Sequence, residues 1–581
     1  MNGLSAVTAG RAKPGSVAAG GVAAGGVDAE VIEDALARRL AAVLPYLAGG
    51  DTSPKATVGA LGTHDAGGLL DLACTSLCED PSLDRCWLVL GATAGCLPCA
   101  DDVREASYRA ETSRPAQLGL WLLEHASSSA ALECAGRGLV VVSDRVIVDD
   151  FTVAAPGGVG SSARRLDTPG FDRVAALTAA RWQSRSDCVR VVWDPSFCGW
   201  TTGGWNAGGW TTDGRTTDGR TTDGWTADGR AAGSRGVDGT SSAGELVVPW
   251  GATVVTLGCA PPQVCGPLAA AAELSGSTFA ALADDCYPAA SGGLMTDWQV
   301  TQAVQYLSVI KHFGRVATLS EASAADFAGY ASALAAQGLA GPQVTSCRLA
   351  TQPLPLSSAA SNAASPAGTA GAAGSAGPSG RTRPGVPIVV YAGDVDGRCD
   401  LPGLLCAAEL AWADGLDFEV VIAAREVHQD EVAQLVGRLR RAGRRVEIRR
   451  GMTEADLDEL YRSATLCVSP SPHEGTAVAI SESLARGVPV LCSQRPTPRG
   501  GAGQAGVLRF DADDDEALGA AMRLALQDDA VLTGLTGQLN TRETRSWEAF
   551  ADDLWDLLAA PAGLGTGRVA HGGTLGEARG S

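Results

Sequence analysis

The sequence predicts an α/β protein with two doubly wound parallel sheets and a helical region ahead of the first. Short apolar runs rich in β-branched residues alternate with helical stretches across residues 388–559, a pattern typical of strand–helix–strand units. A less regular alternation occupies residues 138–356. Residues 357–387 are rich in Ala, Gly, Ser and Pro and lack apolar periodicity, so we predict a flexible linker between the two domains.

The two ends of the chain lack the pattern of a folded core. Residues 1–28 are rich in Ala, Gly and Val without a continuous apolar segment, which predicts a disordered leader rather than a signal peptide. Residues 29–135 have helical periodicity and contain no motif that indicates a chemistry. Residues 560–581 are Gly-rich and are predicted to be a disordered tail.

Charge and hydropathy exclude several classes of partner. The net charge of −20 and the pI near 4.8 argue against nucleic acid or an anionic membrane as the main partner. The sequence has no apolar run of the roughly 18–20 residues that span a bilayer. We therefore expect a cytoplasmic protein without an integral membrane segment.

Most of the 16 cysteines lie within apolar runs, which predicts reduced core thiols. An alternative comes from the pair Cys74 and Cys78 together with the pair Cys96 and Cys99, because this spacing suits zinc. The residues flanking both pairs are apolar, so we expect thiols and no metal ligand.

A repetitive segment interrupts the first α/β domain. Residues 201–230 are six five-residue units, each with Gly at its fourth place. A period of five with regular glycines matches neither helix nor strand and favours turns. We predict a low-complexity insertion over residues 199–245.

The stretch Ser469–Cys492 holds the candidate site. A Pro/Ser turn leads to a helix that begins near Glu474, ends at Gly487 and precedes an apolar strand. Glu474 and Glu482 are eight residues apart, so they project from similar sides of the helix. A helix N-terminus favours anions, and this layout suits a nucleotide diphosphate. A helix cap followed by a solvated glutamate is the alternative.

The Glu474-Gly motif, the run Glu482-Ser-Leu-Ala and the following Gly-Val-Pro-Val resemble the donor-binding motif of glycosyltransferase family 4 (glycosyl transferases group 1), which includes mannosyltransferases. Residues 451–464 upstream resemble the same family. The resemblance implies a GT-B fold, with an acceptor-side Rossmann-like domain, a donor-binding one and a cleft between them. It also implies retaining transfer of a hexose such as mannose from a nucleotide-diphosphate sugar to a glycan or polysaccharide, without a cofactor. Peripheral association with a glycan-assembly complex is compatible with it.

The resemblance also implies roles for individual residues. Glu474 would lie beside the donor-sugar hydroxyls, and Glu482 would accept hydrogen bonds from the ribose. His473 would either contact the sugar or be an exposed turn residue. The backbone N–H groups offered to phosphate would be those of Gly475, Thr476 and Ala477.

Two candidate residues lie in the first domain. Residues 169–174 resemble a family turn in which Gly170 lets the backbone approach the donor phosphates; an ordinary β–α turn is the alternative. Asp284 occupies the place where relatives often have a His near the reacting sugar. A turn stabilised by the aspartate side chain is the alternative to a catalytic Asp284.

The chain departs from the family at the turn that begins with Gly393. Relatives commonly have an Arg-Lys pair there to neutralise the diphosphate, whereas this chain has Arg398 followed by Cys399. Arg398 is the candidate catalytic cation, because its planar guanidinium binds phosphate oxygens in pairs. A catalytically weakened scaffold that binds sugars or nucleotides is therefore the alternative function. No Gly-x-Gly-x-x-Gly turn follows a strand, which excludes an NAD-type enzyme.

Overall fold

The computed structural model describes residues 29–47, 65–126, 134, 136–153, 171–201, 245–286, 289, 293, 295–353, 385–393, 395, 399–424, 430–471, 478–494, 505–514, 516–540 and 544–559. The predicted leader 1–28, the tail 560–581 and most of the linker and insertion lie outside these residues. The described part confirms the predicted α/β class with two sheets and an N-terminal helical region.

The N-terminal region forms a helical layer on the first sheet. Its helices share one hydrophobic core with the strands, in which Trp87 of the third helix and Trp200 of the sheet are both fully buried. Arg39, which is almost fully buried, donates hydrogen bonds to the carbonyl oxygens of Ala92 at 2.6 Å and Arg137 at 2.8 Å. These bonds join the first helix to the third and to the segment that enters the sheet. The helices are α1 Ala29–Leu47, α2 Ala66–Glu79, α3 Leu83–Ala94, α4 Ala100–Thr112 and α5 Pro115–Ala126.

The first sheet has nine strands in the order β1-β5-β4-β3-β2-β6-β7-β8-β9. Every neighbouring pair is parallel except the pairs that involve β4. The chain order reverses between β2 and β6, and parallel α/β sheets bind ligands at such a switch point. The strands are β1 Leu139–Val142, β2 Val146–Val153, β3 Cys188–Trp193, β4 Trp200–Thr201, β5 Leu246–Pro249, β6 Thr253–Leu257, β7 Thr278–Ala283, β8 Arg315–Thr318 and β9 Gln343–Ser346; the helices are α6 Phe171–Trp182, α7 Pro262–Leu274, α8 Asp297–Ile310 and α9 Glu321–Ala336.

The structure corrects the start of the predicted insertion 199–245. Trp200 and Thr201 form β4 and pair with β3 and β5 in antiparallel register. The indole N–H of Trp200 donates to the buried carboxylate of Asp149 at 2.8 Å, which holds this residue in the core. The sheet therefore includes the first residue of the repeat, and the described part of the chain resumes at residue 245.

The second sheet has six parallel strands in the order β12-β11-β10-β13-β14-β15. This is the doubly wound order of dinucleotide-binding folds, with its switch point between β10 and β13. The central strands are buried on both faces, so they are continuous apolar runs in the sequence. The elements are β10 Ile388–Ala392, α10 Leu401–Ala413, β11 Glu419–Ala423, α11 Asp430–Arg441, β12 Val446–Arg449, α12 Glu454–Ser463, β13 Leu466–Ser469, α13 Val478–Ala485, β14 Val490–Gln494, β15 Val507–Asp511, α14 Ala517–Gln527 and α15 Asp529–Leu539.

The last helix, α16 Trp547–Leu558, packs against the first sheet, although the sequence places it within the donor domain 388–559. Its apolar side shares a core with β2 and α6. The carbonyl of Ala551 accepts a 2.9 Å hydrogen bond from the indole N–H of Trp182. The position of α16 depends on contacts with residues that are distant in the sequence, so local sequence patterns do not predict it.

None of the described helices is long and apolar enough to cross a membrane. Within the same part of the chain, no group of three or more His, Cys, Asp or Glu residues is arranged to hold a metal ion. Burial raises the pKa of the Cys74 thiol to about 12, as expected for a thiol in an apolar core.

Candidate functional site

The candidate site lies at the switch point of the second sheet. Gly393 directly follows β10, and residues 472–477 follow β13, the neighbouring strand. The carboxyl ends of these two strands border the crevice in which such folds bind ligands. The topology thus brings Gly393 and the carboxyl end of β13, after which the predicted donor motif follows in the sequence, to the same edge of the sheet.

Gly393 occupies a position where only glycine fits. A Cβ atom there would lie 2.9 Å from the Tyr391 hydroxyl oxygen, closer than real Cβ contacts allow. The Gly393 N–H donates a 3.1 Å hydrogen bond to the Ala423 carbonyl at the end of β11. This bond ties the end of β10 to the end of β11.

Glu482 lies in α13 and its side chain is only 5% exposed. This burial contradicts the alternative of a solvated glutamate. The Nη1 atom of Arg486, one turn further along the helix, donates to Oε2 of Glu482 at 3.2 Å. A second guanidinium, that of Arg173, approaches both carboxylate oxygens at 3.3 Å. The buried carboxylate is thus held from two sides by charge-assisted hydrogen bonds.

Arg486 is held by further contacts in the second unit. Its Nε atom donates to Asp458 at 2.8 Å, and its Nη1 atom donates to the Glu482 carbonyl at 3.0 Å. Its guanidinium lies 5.3 Å from the ring centre of Tyr461, within the range of a cation–π contact. Burial raises the pKa of Tyr461 well above its usual value, so this ring remains neutral. The orientation of α13 relative to α12 is thereby fixed.

Arg173 connects the two sheets. It lies in the first turn of α6, which follows β2, and β2 borders the switch point of the first sheet. Its partner Glu482 lies in α13, which follows β13 at the switch point of the second sheet. The ligand-binding edges of the two sheets therefore face each other, as in a GT-B cleft. The predicted turn 169–174 contained Arg173, but only Gly170 was assigned a role.

Asp284 follows β7 at the carboxyl edge of the first sheet and is half-buried. Its charge contributes to the raised pKa of Tyr306, after burial and two nearby cysteines. The location fits either of the two predicted roles. A catalytic Asp284 remains a prediction.

Several predicted site residues lie outside the described part of the chain. These are Gly170, Arg398, His473, Glu474, Gly475, Thr476 and Ala477. Cys399, which follows Arg398, is described: it is 7% exposed and packs in the core of the second unit. The Cys399 side chain is thus directed into the core of the second unit.

Comparison with known proteins identifies the second unit. Residues 386–528 match the family model of glycosyl transferases group 1. O-antigen chain mannosyltransferase B of Escherichia coli is 32% identical over 143 residues, which are 24% of this chain and 37% of that protein. The match therefore spans just over a third of the relative's length.

Solved structures of similar shape include sugar-phosphate synthases. Sucrose-phosphate synthase from Thermosynechococcus elongatus has a TM-score of 0.42 and 14% identity, with 71% of this chain and 98% of that chain covered. An α,α-trehalose 6-phosphate synthase from Burkholderia multivorans has a TM-score of 0.37 and 14% identity, with 54% and 71% covered. The family assignment depends on the sequence match to residues 386–528.

Proposed function

We propose that this protein is a retaining glycosyltransferase, because residues 386–528 match the family model of glycosyl transferases group 1. It transfers a hexose from a nucleotide-diphosphate sugar to a glycan or polysaccharide acceptor. Mannose is the proposed hexose, because the matched Escherichia coli relative is named as a mannosyltransferase.

The environment of Glu482 is the observation that supports this proposal. Its carboxylate is buried in the helix that follows the switch point of the donor-side sheet, where folds of this order bind nucleotides, and two guanidinium groups hold it in place by hydrogen bonds. An ionised carboxylate accepts hydrogen bonds from the two hydroxyls of a ribose. We assign this role to Glu482.

The remaining candidate residues are assigned to the other parts of the donor and to the acceptor side. Glu474 holds the hydroxyls of the donor sugar, together with His473. The diphosphate leaves as an anion, and backbone N–H groups and Arg398 stabilise the charge that develops on it. Gly393 and Gly170 allow the backbone to approach the phosphates from the two sides. Asp284 lies on the acceptor side, near the reacting sugar. The N–H groups are those of Gly475, Thr476 and Ala477.

We also propose that the protein acts in the cytoplasm. The described cysteines are free thiols, as is usual in a reducing compartment. Its partners are the nucleotide sugar and the glycan acceptor, and it associates peripherally with a glycan-assembly complex.

A binding protein without turnover is the second candidate function. The buried thiol of Cys399 replaces a cation that neutralises the leaving diphosphate in relatives, and a neutral thiol supplies no such charge. The loss of one preorganised group of this kind costs about 100- to 1,000-fold in turnover in other enzymes. Such a scaffold would bind donor and transfer little sugar.

We expect the purified protein to bind one nucleotide diphosphate, GDP or UDP, with micromolar affinity in a calorimetric titration. Replacing Glu482 by Gln removes the charge and retains the shape, so binding should weaken about 10- to 100-fold, the range for a hydrogen bond to a charged group. The exposed Glu459 of α12 provides the matched control, and Glu459→Gln should bind within about twofold of the unmodified protein.

The same titration and a transfer assay separate the two candidate functions. Release of nucleotide from the sugar conjugate in the presence of a glycan acceptor supports the enzyme, and the anomeric configuration of the product tests retention. Tight binding without release supports the scaffold. Absence of binding to all nucleotides and conjugates would reject both.

A further inference from the structure

We propose that Arg173 is a donor-positioning residue, which acts from the first unit through the carboxylate of Glu482. The inference rests on the proposed function, because it concerns the same donor site. It adds that the site is incomplete without a side chain from the opposite sheet.

The hydrogen bonds of Glu482 leave one of its acceptor sites available for a ribose hydroxyl. An ionised carboxylate has about four lone-pair sites. Arg173 Nη1 approaches one site on each oxygen, and Arg486 Nη1 approaches one on Oε2. Acceptor capacity therefore remains on Oε1, so that a ribose hydroxyl binds Glu482 while both arginines keep their places.

The charges assign a distinct task to each arginine. Arg486 is 3% exposed and also pairs with Asp458 at 2.8 Å, so its charge is shared between two carboxylates. Arg173, at 17% exposure, faces both oxygens of Glu482. It places a positive charge against both oxygens of a carboxylate that is only 5% exposed, and so fixes the direction in which those oxygens point.

The position of Arg173 in the chain makes donor binding depend on the contact between the two units. Arg173 and Glu482 are 309 residues apart. When the cleft opens, Glu482 loses this guanidinium, and its carboxylate retains Arg486 as its ion-pair partner within the donor unit. The closed arrangement thus has the higher donor affinity, and by linkage the donor favours closure by the same factor.

Two arginines further along the chain have a different task. Arg181 lies in the last turn of α6 and Arg185 in the turn that follows, and each has a guanidinium nitrogen 3.8 Å from Asp552 of α16. These exposed pairs join α6 to the C-terminal helix, not to the donor site. Arg181 therefore provides a control that removes a positive charge from the same helix.

The experiment compares Arg173→Ala, Arg173→Lys and Arg181→Ala by calorimetric titration with the nucleotide that the unmodified protein binds. We expect Arg173→Ala to weaken binding about tenfold, the effect of one charge-assisted hydrogen bond. Arg173→Lys keeps the charge and should recover part of the affinity. Arg181→Ala should bind within about twofold of the unmodified protein.

Two further readouts separate positioning from a purely structural role. In the double variant Arg173→Ala/Glu482→Gln, binding should equal that of Glu482→Gln alone, because a residue that acts through another loses its effect once that partner is replaced. A nucleotide with a 2′-deoxy or 3′-deoxy ribose should bind less tightly than the ribonucleotide. This loss of affinity should be smaller in Arg173→Ala than in the unmodified protein. Thermal unfolding identifies any variant that fails to fold. If Arg173→Ala does not fold, the nucleotide affinity of Arg173→Lys is compared with that of the unmodified protein instead.

Each outcome decides between the two proposals. If Arg173→Ala binds as tightly as the unmodified protein, or if the losses of the two single variants multiply in the double variant, Arg173 has no positioning role and the donor-site proposal stands. If the unmodified protein binds no nucleotide, both proposals are wrong.

Discussion

A chain that ends after Asn540, and so lacks α16, is expected to lose the folded structure of its first unit. The helix buries five large apolar side chains against that unit. Burial of one such side chain contributes about 1.5–3 kcal/mol, so the helix as a whole contributes on the order of 10 kcal/mol. This equals the entire stability of a typical domain, which is about 5–15 kcal/mol. The five side chains are Trp547, Phe550, Leu554, Trp555 and Leu558.

Removal of the helix also leaves polar and aromatic groups without their contacts. The buried indole N–H of Trp182 loses the Ala551 carbonyl, and its ring loses the edge-to-face contact with Trp555 at 5.1 Å. Arg315, at the start of β8, loses the Leu557 carbonyl as an acceptor. An unsatisfied buried donor costs about 1–3 kcal/mol in addition to the lost burial.

The matched control is a chain that ends after Ala559, which retains α16. Circular dichroism melting and size-exclusion chromatography should show a folded, monodisperse protein for the longer chain, and aggregation or early melting for the chain ending at Asn540. Equal melting temperatures for the two chains would show that α16 is not part of the first unit's core.

Asp149→Ala is expected to lower the free energy of unfolding by about 3–9 kcal/mol, because it leaves three buried donors unsatisfied at about 1–3 kcal/mol each. Asp149 is fully buried in β2. Its Oδ2 atom accepts the indole N–H groups of Trp193 and Trp200, each at 2.8 Å. Its Oδ1 atom accepts the N–H of Phe151, also at 2.8 Å. Phe151 has a φ of 56°, so this bond also supports a left-handed backbone conformation.

Urea unfolding measures this effect, and Asp187→Ala provides the control. Asp187 is exposed in the turn before β3 and lies 3.6 Å from Arg185. Exposed pairs of this kind contribute about 0–1 kcal/mol, so the control should unfold close to the unmodified protein. An equally small change for Asp149→Ala would mean that the two indoles find other acceptors.

The same carboxyl group predicts a dependence of stability on pH. Burial raises the pKa of Asp149 from 3.8 to about 7, although its three hydrogen bonds favour the charged form. Between these values the unfolded chain has released the proton and the folded chain retains it. This group therefore lowers the free energy of unfolding by up to about 1.4 kcal/mol per pH unit as pH rises from 4 to 7, and the loss levels off above 7. Asp149→Asn should lack this slope; parallel pH profiles for both proteins would contradict the prediction.

Much of the second sheet is readable from the sequence because its strands are buried on both faces. The alternation predicted in this region is present in the structure, and the apolar run Ile388–Ala392 is the buried strand β10. The two-residue strand β4 was missed, because Trp200 stands beside a Gly-rich repeat and pairs with strands that precede and follow that repeat. Periodicity needs longer segments than this to identify a strand.

The candidate site also contains residues that the sequence identifies and residues that only the structure reveals. Glu482 was identified from its spacing to Glu474 and from the family resemblance, both of which are local. Arg173 was not assigned a role, because its contact with Glu482 depends on the fold of both sheets and crosses 309 residues of chain. Local patterns identify the helix that presents a carboxylate, and they do not reveal which distant cation will face it.

The short strand β4 also bears on how this gene can change. Because Thr201 is paired with Leu246, the two ends of the repeat segment are held side by side by backbone hydrogen bonds. Doubling the length of a flexible loop with fixed ends costs only about 0.6 kcal/mol in closure entropy. A repeat with more or fewer five-residue units is therefore compatible with the same register between β4 and β5. The number of units is thus decoupled from the fold of the first sheet.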